Sequence, residues 1–598
     1  MMTIKKGFLI TIIFVMLAIS VSAQVGQEYH LKLLAVQEEA GGKYTGSDAD
    51  LFLELKEGSG RVFLDTFPLT KLDTQISTRF AKDLACNHFN LECEKYDFIY
   101  TIKSKSNIIG GPSAGAAITA LTTIALLDLD YTKEIAITGT INSGGIIGPV
   151  GGVKEKLTAA ANAGLKKVLI AQGNREFQED ENQTKIDLIE YAKNNLSLEV
   201  VEVMGIDEVL LHLTGKEFNN KNFSIEESKE YTKIMKGLQD VLCGRTEQIQ
   251  ELIDSENIKL SKEAINQSVI KKEDAEKASE DKDHYSAASF CFGNNILLKE
   301  QYYLEKELSF EQTKQRLEVL GQKTTALIQK IDKEKIETIS DLQTLMVVKE
   351  RLNDVTEQIK TFNTEITAKD LDQAHAILAY SEERFFSALS WMQFFSMPGK
   401  KFVLDEEKLE QSCFKKISEA EERHQYVSLF LGQFTVKHIA EKITLSKDSL
   451  AQKDYELCLI KASQAKAEAN AILSSLGLSN ETLPKYLESK TKAVERIIYE
   501  NSAEGIFPIL GYSYYQYANS LKEQEYTSLI YLEYALEISD LEIYFPEEKT
   551  FLKPKLRINK EWLLIIEGFI LGILVTLGLL LLCKVGFKKK PRLKFIKK

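Results

Sequence analysis

The segment Asn107–Gly164, NIIGGPSAGAAITALTTIALLDLDYTKEIAITGTINSGGIIGPVGGVKEKLTAAANAG, concentrates the residues of this 598-residue chain that could do covalent chemistry. Gly110-Gly111-Pro112 turns sharply and delivers Ser113 to the start of an apolar helix. A serine so placed can keep an exposed hydroxyl, and the N–H groups of a helix start, lacking intrahelical partners, can face a developing oxyanion. Such a nucleophile needs a base. Past a second Gly-Gly turn, Val153-Lys154-Glu155-Lys156 opens another helix. Its two lysines stand about 200° apart around the axis, so only one can address Ser113. Lys156 neighbours Ala159, Ala160 and Ala163, whereas Lys154 neighbours Thr158 and Asn162, so Lys156 has the drier setting. Dryness matters, because an ordinary lysine is neutral only about once in 2,500 molecules at pH 7. Burial and the positive end of its own helix both disfavour its charge, and a pKa of about 7.5 would leave roughly a quarter of it neutral. The same residues also admit plainer readings: Ser113 as a helix N-cap and both lysines as solvated side chains of a first turn.

GPSAG fits G-x-S-x-G as well, the turn that presents a hydrolase serine to a histidine. Downstream in this part of the chain that histidine could only be His212, in a short apolar helix. The elements around the motif alternate. HLKLLAV and the two halves of DLFLELKEGSGRVFLDTF read as strands, the halves joined by a Gly-Ser-Gly hairpin turn. ISTRFAKDLACNHF reads as a helix, YDFIYTIKSKS as a strand, and SAGAAITALTTIALLDL as a helix apolar enough to be buried. The strand EIAITGTI, a Gly-rich hairpin, the helix VKEKLTAAANAG, the strand KKVLIA, the helix KIDLIEYAKNN, the strand LEVVEV and the helix IDEVLLHL follow.

The stretch from Ser113 to Lys156 resembles the proteolytic domain of the Lon family of Ser-Lys peptidases, with its PSAG-type turn and its GG-[LV]-KEK-type turn. It is especially similar to membrane-anchored Lon-like proteins that carry GGPSAG without an ATPase. The resemblance covers about residues 28 to 215 and includes Thr138-Gly139 and Pro149 to Lys156. It implies the α+β fold of that domain, Ser113 as nucleophile, Lys156 as general base and Thr138 as the threonine that orients the lysine amine. It also implies assembly into a homo-oligomeric ring, commonly a hexamer. Two departures stand out. Gly110 occupies the place, three residues before the serine, where many Lon proteases carry an acid, and the sequence holds no G-x4-G-K-[ST] loop for ATP.

Glycine and proline divide the rest. Of the 33 glycines, 20 precede residue 221, and no proline lies between Pro149 and Pro398. From about Ile225 to Leu541 the pattern is helical, with Leu317, Leu320, Thr324, Leu327 and Ile331, then Leu345, Val348, Leu352, Val355, Ile359 and Phe362, stepping by three and four. These short runs predict packed antiparallel hairpins, with at most short coiled coil. The aromatic groups Phe385, Phe386, Trp391, Phe394, Phe395 and Tyr512, Tyr514, Tyr515, Tyr517 predict helix-helix core, with a peptide-binding groove as the alternative.

Charge supplies the topology. Residues 1–23 hold Lys5 and Lys6, an apolar run and Val21-Ser22-Ala23, the pattern of a secretory signal peptide. Trp562–Cys583 is apolar except for Glu567 and long enough to span a bilayer, and the tail 584–598 carries eight basic residues and no acid. Without those ten terminal positive charges the net of -12 becomes about -22, a surface that repels phosphate backbones and argues against nucleic-acid binding. Six cysteines precede the span, an even number suited to an oxidising compartment; Cys86 with Cys93 is the pairing expected first.

The sequence therefore predicts a signal peptide (1–23), an α+β Lon-like protease domain (24–220), an all-α region (221–556), one transmembrane helix (562–583) and a basic cytoplasmic tail (584–598). The expected function is a membrane-anchored, ATP-independent serine endopeptidase that cleaves unfolded or loosely folded polypeptides on the extracytoplasmic side of the cell membrane. It calls for no cofactor and no metal, since the seven histidines show no HExxH or paired CxxC spacing. Two rivals remain: an inert Lon-like fold within a membrane-tethered binding or scaffold protein, and a hydrolase of esters or small amides pairing Ser113 with His212.

Overall fold

The computed structural model describes residues 28–38, 44–67, 69–104, 111–178, 185–218, 223, 225–401, 406–431, 436–476, 478–521, 523–539, 572–573 and 575–577. The predicted signal peptide lies outside them, as does the predicted span apart from residues 572, 573 and 575–577. No helix among the described residues is long and apolar enough to cross a membrane. The chain divides into two compact units, Met1–Phe545 and Pro546–Lys598. The first holds a mixed α/β part followed by a large helical region.

In the α/β part, β1 (Glu28–Glu38), β2 (Tyr44–Glu57), β3 (Val62–Phe67) and β4 (Tyr96–Ser104) make one sheet in the order β1-β2-β4-β3. The expected β2–β3 hairpin does not form. Instead β4 inserts between them, antiparallel to β2 and parallel to β3. Asp97 of β4 explains why: its carboxylate accepts the N–H groups of Ser59 and Arg61 and the Arg61 guanidinium, so the Gly-Ser-Gly loop wraps around β4 rather than closing a two-stranded turn. Arg61 in turn holds the Asp97 carboxyl down at about 2. The intervening helix α1 (Leu72–His88) makes the crossover.

The helix α2 (Gly115–Leu127) is buried all round from Gly115 to Ala125. Three threonines within it remain satisfied in this apolar setting, because each hydroxyl donates to the carbonyl four residues earlier and Thr122 also meets Tyr100. A second sheet, β11-β8-β5, is parallel and comprises β5 (Ile135–Thr138), β8 (Lys167–Ala171) and β11 (Glu199–Val203). Between its strands lie the hairpin β6 (Thr140–Asn142) and β7 (Ile146–Gly148), the helix α3 (Val153–Asn162) and the hairpin β9 (Glu176–Gln178) and β10 (Lys185–Asp187). KIDLIEYAKNN, expected as one helix, begins as β10. The Asp187 carboxylate then accepts the N–H groups of Ile189 and Glu190 and starts the short α4 (Leu188–Tyr191), which opens into a wider turn. The part closes with α5 (Ile206–Thr214).

The helical region runs from α6 (Lys229–Ser255), α7 (Lys262–Glu280), α8 (His284–Glu305) and α9 (Phe310–Ile331) through α10 (Ile339–Glu365), α11 (Leu371–Trp391), α12 (Glu406–Leu431), α13 (Lys437–Ala451) and α14 (Tyr455–Ser475) to α15 (Leu483–Ala503), α16 (Ile509–Ser520) and α17 (Glu525–Ser539). Ser228, Ser261, Asp283, Ser309, Thr338 and Asp454 each cap a helix by accepting a backbone N–H. Trp391, Phe394, Tyr512 and Tyr514 are buried in its main core, so the two aromatic groups serve chiefly as helix-helix packing. The six cysteines among the described residues all pair: Cys86–Cys93 at the end of α1, Cys243–Cys291 between α6 and α8, and Cys413–Cys458 between α12 and α14.

The helices pack on the α/β part through the tip of the β6–β7 hairpin. Ser143 donates its hydroxyl to Glu533 on α17 at 2.6 Å, and Lys490 on α15 donates to the Ser143 carbonyl at 2.9 Å and pairs with Glu533 at 2.7 Å. Lys490 and Glu533 are both fully buried, and Ile146 packs beside them against Ala471, Tyr486 and Leu529. A second junction joins Arg496 of α15 to the ring and carbonyl of His88, which also meets Asp207 at 2.9 Å.

Candidate active site

Three segments connect Ser113 to Lys156. The first is its own turn, Pro112–Ala114, entered through Gly111 at φ 99°, a left-handed value that only glycine takes without strain. Ala114, not Ser113, occupies the N-cap of α2, and no side chain caps that helix. The plainest structural role for Ser113 therefore falls away. The serine is half-buried, and among the described residues its hydroxyl makes no hydrogen bond.

The second segment is the end of β5. Gly139 donates its N–H to the Ser113 carbonyl at 3.1 Å and accepts the Ala116 N–H at 3.2 Å, so the residue after Thr138 is stitched to the serine turn from both sides. Thr138 is fully buried.

The third is the first turn of α3. Gly152 enters it at φ 67°, and a Cβ there would lie 2.4 Å from the Val36 side chain, so glycine is required on both counts. Lys156, one turn on, is 4% exposed, and its amine donates to Thr138 Oγ1 at 3.2 Å. Burial lowers its pKa to about 8. Lys154 faces elsewhere, its amine over the Tyr191 ring at 5.8 Å, so the drier lysine is the one the neighbouring alanines indicated.

Ser113, Thr138 and Lys156 are thus linked by two short bridges, one through the Gly139 backbone and one through the Thr138 hydroxyl. The Ser113–Lys156 hydrogen bond itself is not made. Sites of this kind commonly tighten such contacts when substrate fills them. His212 sits half-buried in the last turn of α5 and, among the described residues, makes no side-chain hydrogen bond. No group of three or more His, Cys, Asp or Glu among the described residues could hold a metal ion. Sequence reasoning missed Gly139, which acts through its backbone alone, and the Ser143–Lys490–Glu533 clamp. The only sequence signal for either was the Thr-Gly pair at 138–139.

Residues 105–215 match the family model of the Lon protease (S16) C-terminal proteolytic domain. That stretch is therefore similar to the serine peptidase domain of Lon. Over 125 residues the chain is 35% identical to the Lon protease of Azospirillum brasilense, covering 21% of this chain and 14% of that one. It is 39% identical over 102 residues to the Lon protease of Brucella suis, covering 17% and 12%, and 35% identical over 132 residues to that of Rickettsia bellii, covering 21% and 16%. The chain thus matches less than a fifth of the length of these relatives.

Proposed function

We propose that this protein is a Lon-type serine endopeptidase in which Ser113 attacks the peptide carbonyl. Lys156 takes the serine proton and passes it to the leaving amine, and water then resolves the acyl-enzyme. Thr138 holds the lysine amine, and backbone N–H groups of the serine turn, beginning with that of Ser113, receive the oxyanion. The observation that carries this reading is the buried Lys156 amine, its pKa near 8, resting on a threonine whose neighbour is tied to the serine backbone. A base with that pKa is about one-tenth neutral at pH 7, against about one molecule in 2,500 for a solvated lysine.

The wider reading follows the same order. The sequence carries no ATP-binding loop, so the substrates are chains already unfolded or loosely folded, and cleavage needs no ATP. Assembly is a homo-oligomeric ring, as in Lon proteolytic domains. The signal-like residues 1–23, the apolar stretch 562–583, the basic tail and the three disulfides support a membrane-anchored protein whose large N-terminal part faces an oxidising, extracytoplasmic space. The helical region selects or admits substrate.

Intact-mass analysis of the detergent-solubilised full chain after treatment with a serine-reactive peptide electrophile tests this, with casein digestion in parallel. One label at Ser113 in wild type, lost in Ser113→Ala and in Lys156→Ala and unchanged in His212→Ala, is the expected result, with casein fragments appearing without ATP. A folded wild type that neither labels nor cleaves would overturn the peptidase reading in favour of a binding module.

A further inference from the structure

The helical region holds a half-open cavity of about 570 Å³ between α6, α7, α8, α10, α11, α16 and α17, well removed in sequence from Ser113. Tyr285, Trp391, Tyr517 and Tyr531 line it, together with Arg351 and Arg384. Behind these arginines lie two carboxylates. Glu350 and Asp354 both pair with Arg384, at 2.8 and 2.6 Å, and both accept from Lys461, at 3.4 and 3.0 Å. Arg351 approaches Glu350 only to 3.7 Å. Its two closer contacts are neutral, the Ser387 hydroxyl at 2.9 Å and the Val347 carbonyl at 3.3 Å, and its guanidinium lies over the Trp391 ring, 5.0 Å from the centroid. Three cations, of which Arg351 and Lys461 are each 6% exposed, therefore share two carboxylates. One positive charge is left over. Burial lowers the Arg351 pKa below its ordinary value, the response of a guanidinium short of an anion.

The mouth of the cavity is open to an incoming chain. Ile270 there is 56% exposed, Gln524 is exposed, and Asp274, the one acidic residue among the described lining residues, is exposed beside Lys271. We infer that this cavity binds a single carboxylate borne on an apolar group, the free C-terminal end of a polypeptide. A surplus of one charge matches a carboxylate rather than a dianion, and a guanidinium presents the paired donors that a carboxylate accepts. The aromatic walls suit an apolar last side chain, and the volume suits one or two residues. That the carboxylate belongs to a chain end rests on the peptidase reading; the preference for a carboxylate does not.

Calorimetric titration of the full chain carrying Ser113→Ala, which prevents turnover, tests the site with three probes: N-acetyl-Ala-Phe as free acid, the same peptide as its C-terminal amide, and 3-phenylpropionate. The acid should bind at least tenfold more tightly than the amide and more tightly than phenylpropionate. Arg351→Met should weaken the acid at least fivefold. Because that change touches the core, Ile270→Glu at the exposed rim provides a second test, and its added negative charge should weaken the acid about as much while leaving the amide unaffected. Equal binding of acid and amide, or indifference of the acid to both substitutions, would overturn the site. Phenylpropionate binding as tightly as the peptide acid would overturn the chain-end assignment. Absence of Ser113 labelling in the wild-type chain, alongside acid-selective binding by the Ser113→Ala chain, would sink the peptidase reading and leave the carboxylate site standing.

Discussion

The chemistry proposed for Ser113 depends on what Lys156 gives up by being buried. Only the neutral amine can take the serine proton, so acylation should rise with pH along a limb centred near 8, the value to which burial brings this lysine. Stopped-flow labelling by the peptide electrophile across pH 6 to 10 measures it directly; a limb above 10 would mean the lysine is solvated. The same shift has a stability counterpart. The unfolded chain holds this proton up to about pH 10.4 while the folded chain releases it near 8, so the folded state gains stability as pH rises between those values. Lys156→Met removes the burden, and thermal unfolding should show it more stable than wild type by up to about 3 kcal/mol at pH 7, the gain shrinking between pH 8 and 10.5. Much of this was legible in advance. Alanines beside Lys156 and polar residues beside Lys154 separate the two lysines on sequence alone, because helical spacing fixes which neighbours each one has. The Gly139 bridge was not, because a backbone hydrogen bond leaves no side-chain signature.

At the scale of elements, the site is held by a hairpin whose tip belongs as much to the helical region as to the α/β part. The buried Lys490–Glu533 pair grips Ser143, five residues past Thr138. Lys490→Met would leave the Glu533 carboxylate buried with no cationic partner and should destabilise the protein by about 3 kcal/mol or more. Adding Glu533→Gln should restore a good part of that, so a double-mutant cycle in chemical denaturation should give a clear coupling energy; additive losses would show that the pair is not an energetic unit. Strands and helices of the α/β part were readable from alternation, glycine turns and the buried apolar helix. Their sheet order was not. The insertion of β4 between β2 and β3 is set by Asp97 meeting Ser59 and Arg61 across 36 to 38 residues, and a Gly-Ser-Gly segment looks the same whether it closes a hairpin or wraps around a third strand.

For the whole molecule, one shared packing unit joins the two architectures, and the disulfides brace each from within, one in the α/β part and two in the helical region. Cys243–Cys291 and Cys413–Cys458 close loops of 48 and 45 residues, Cys86–Cys93 one of 7. By loop-closure entropy the two longer links should each contribute about 4 kcal/mol and the short one less. Reduction should therefore lower the melting temperature mainly through the helical region, and Cys86→Ser with Cys93→Ser should cost least, as differential scanning fluorimetry would read. The topology of the clamp also imposes a timetable. The Ser143–Lys490 and Ser143–Glu533 contacts span 347 and 390 residues, so a chain made from its N-terminus completes Ser113, Thr138 and Lys156 long before their clamp exists. At about 5 to 20 residues per second the hairpin tip waits roughly 20 to 80 seconds for its partners. Over that interval the α/β part stands without the helices its hairpin tip packs on, so any activity proposed for Ser113 that depends on the clamp can begin only after residue 533 has been made.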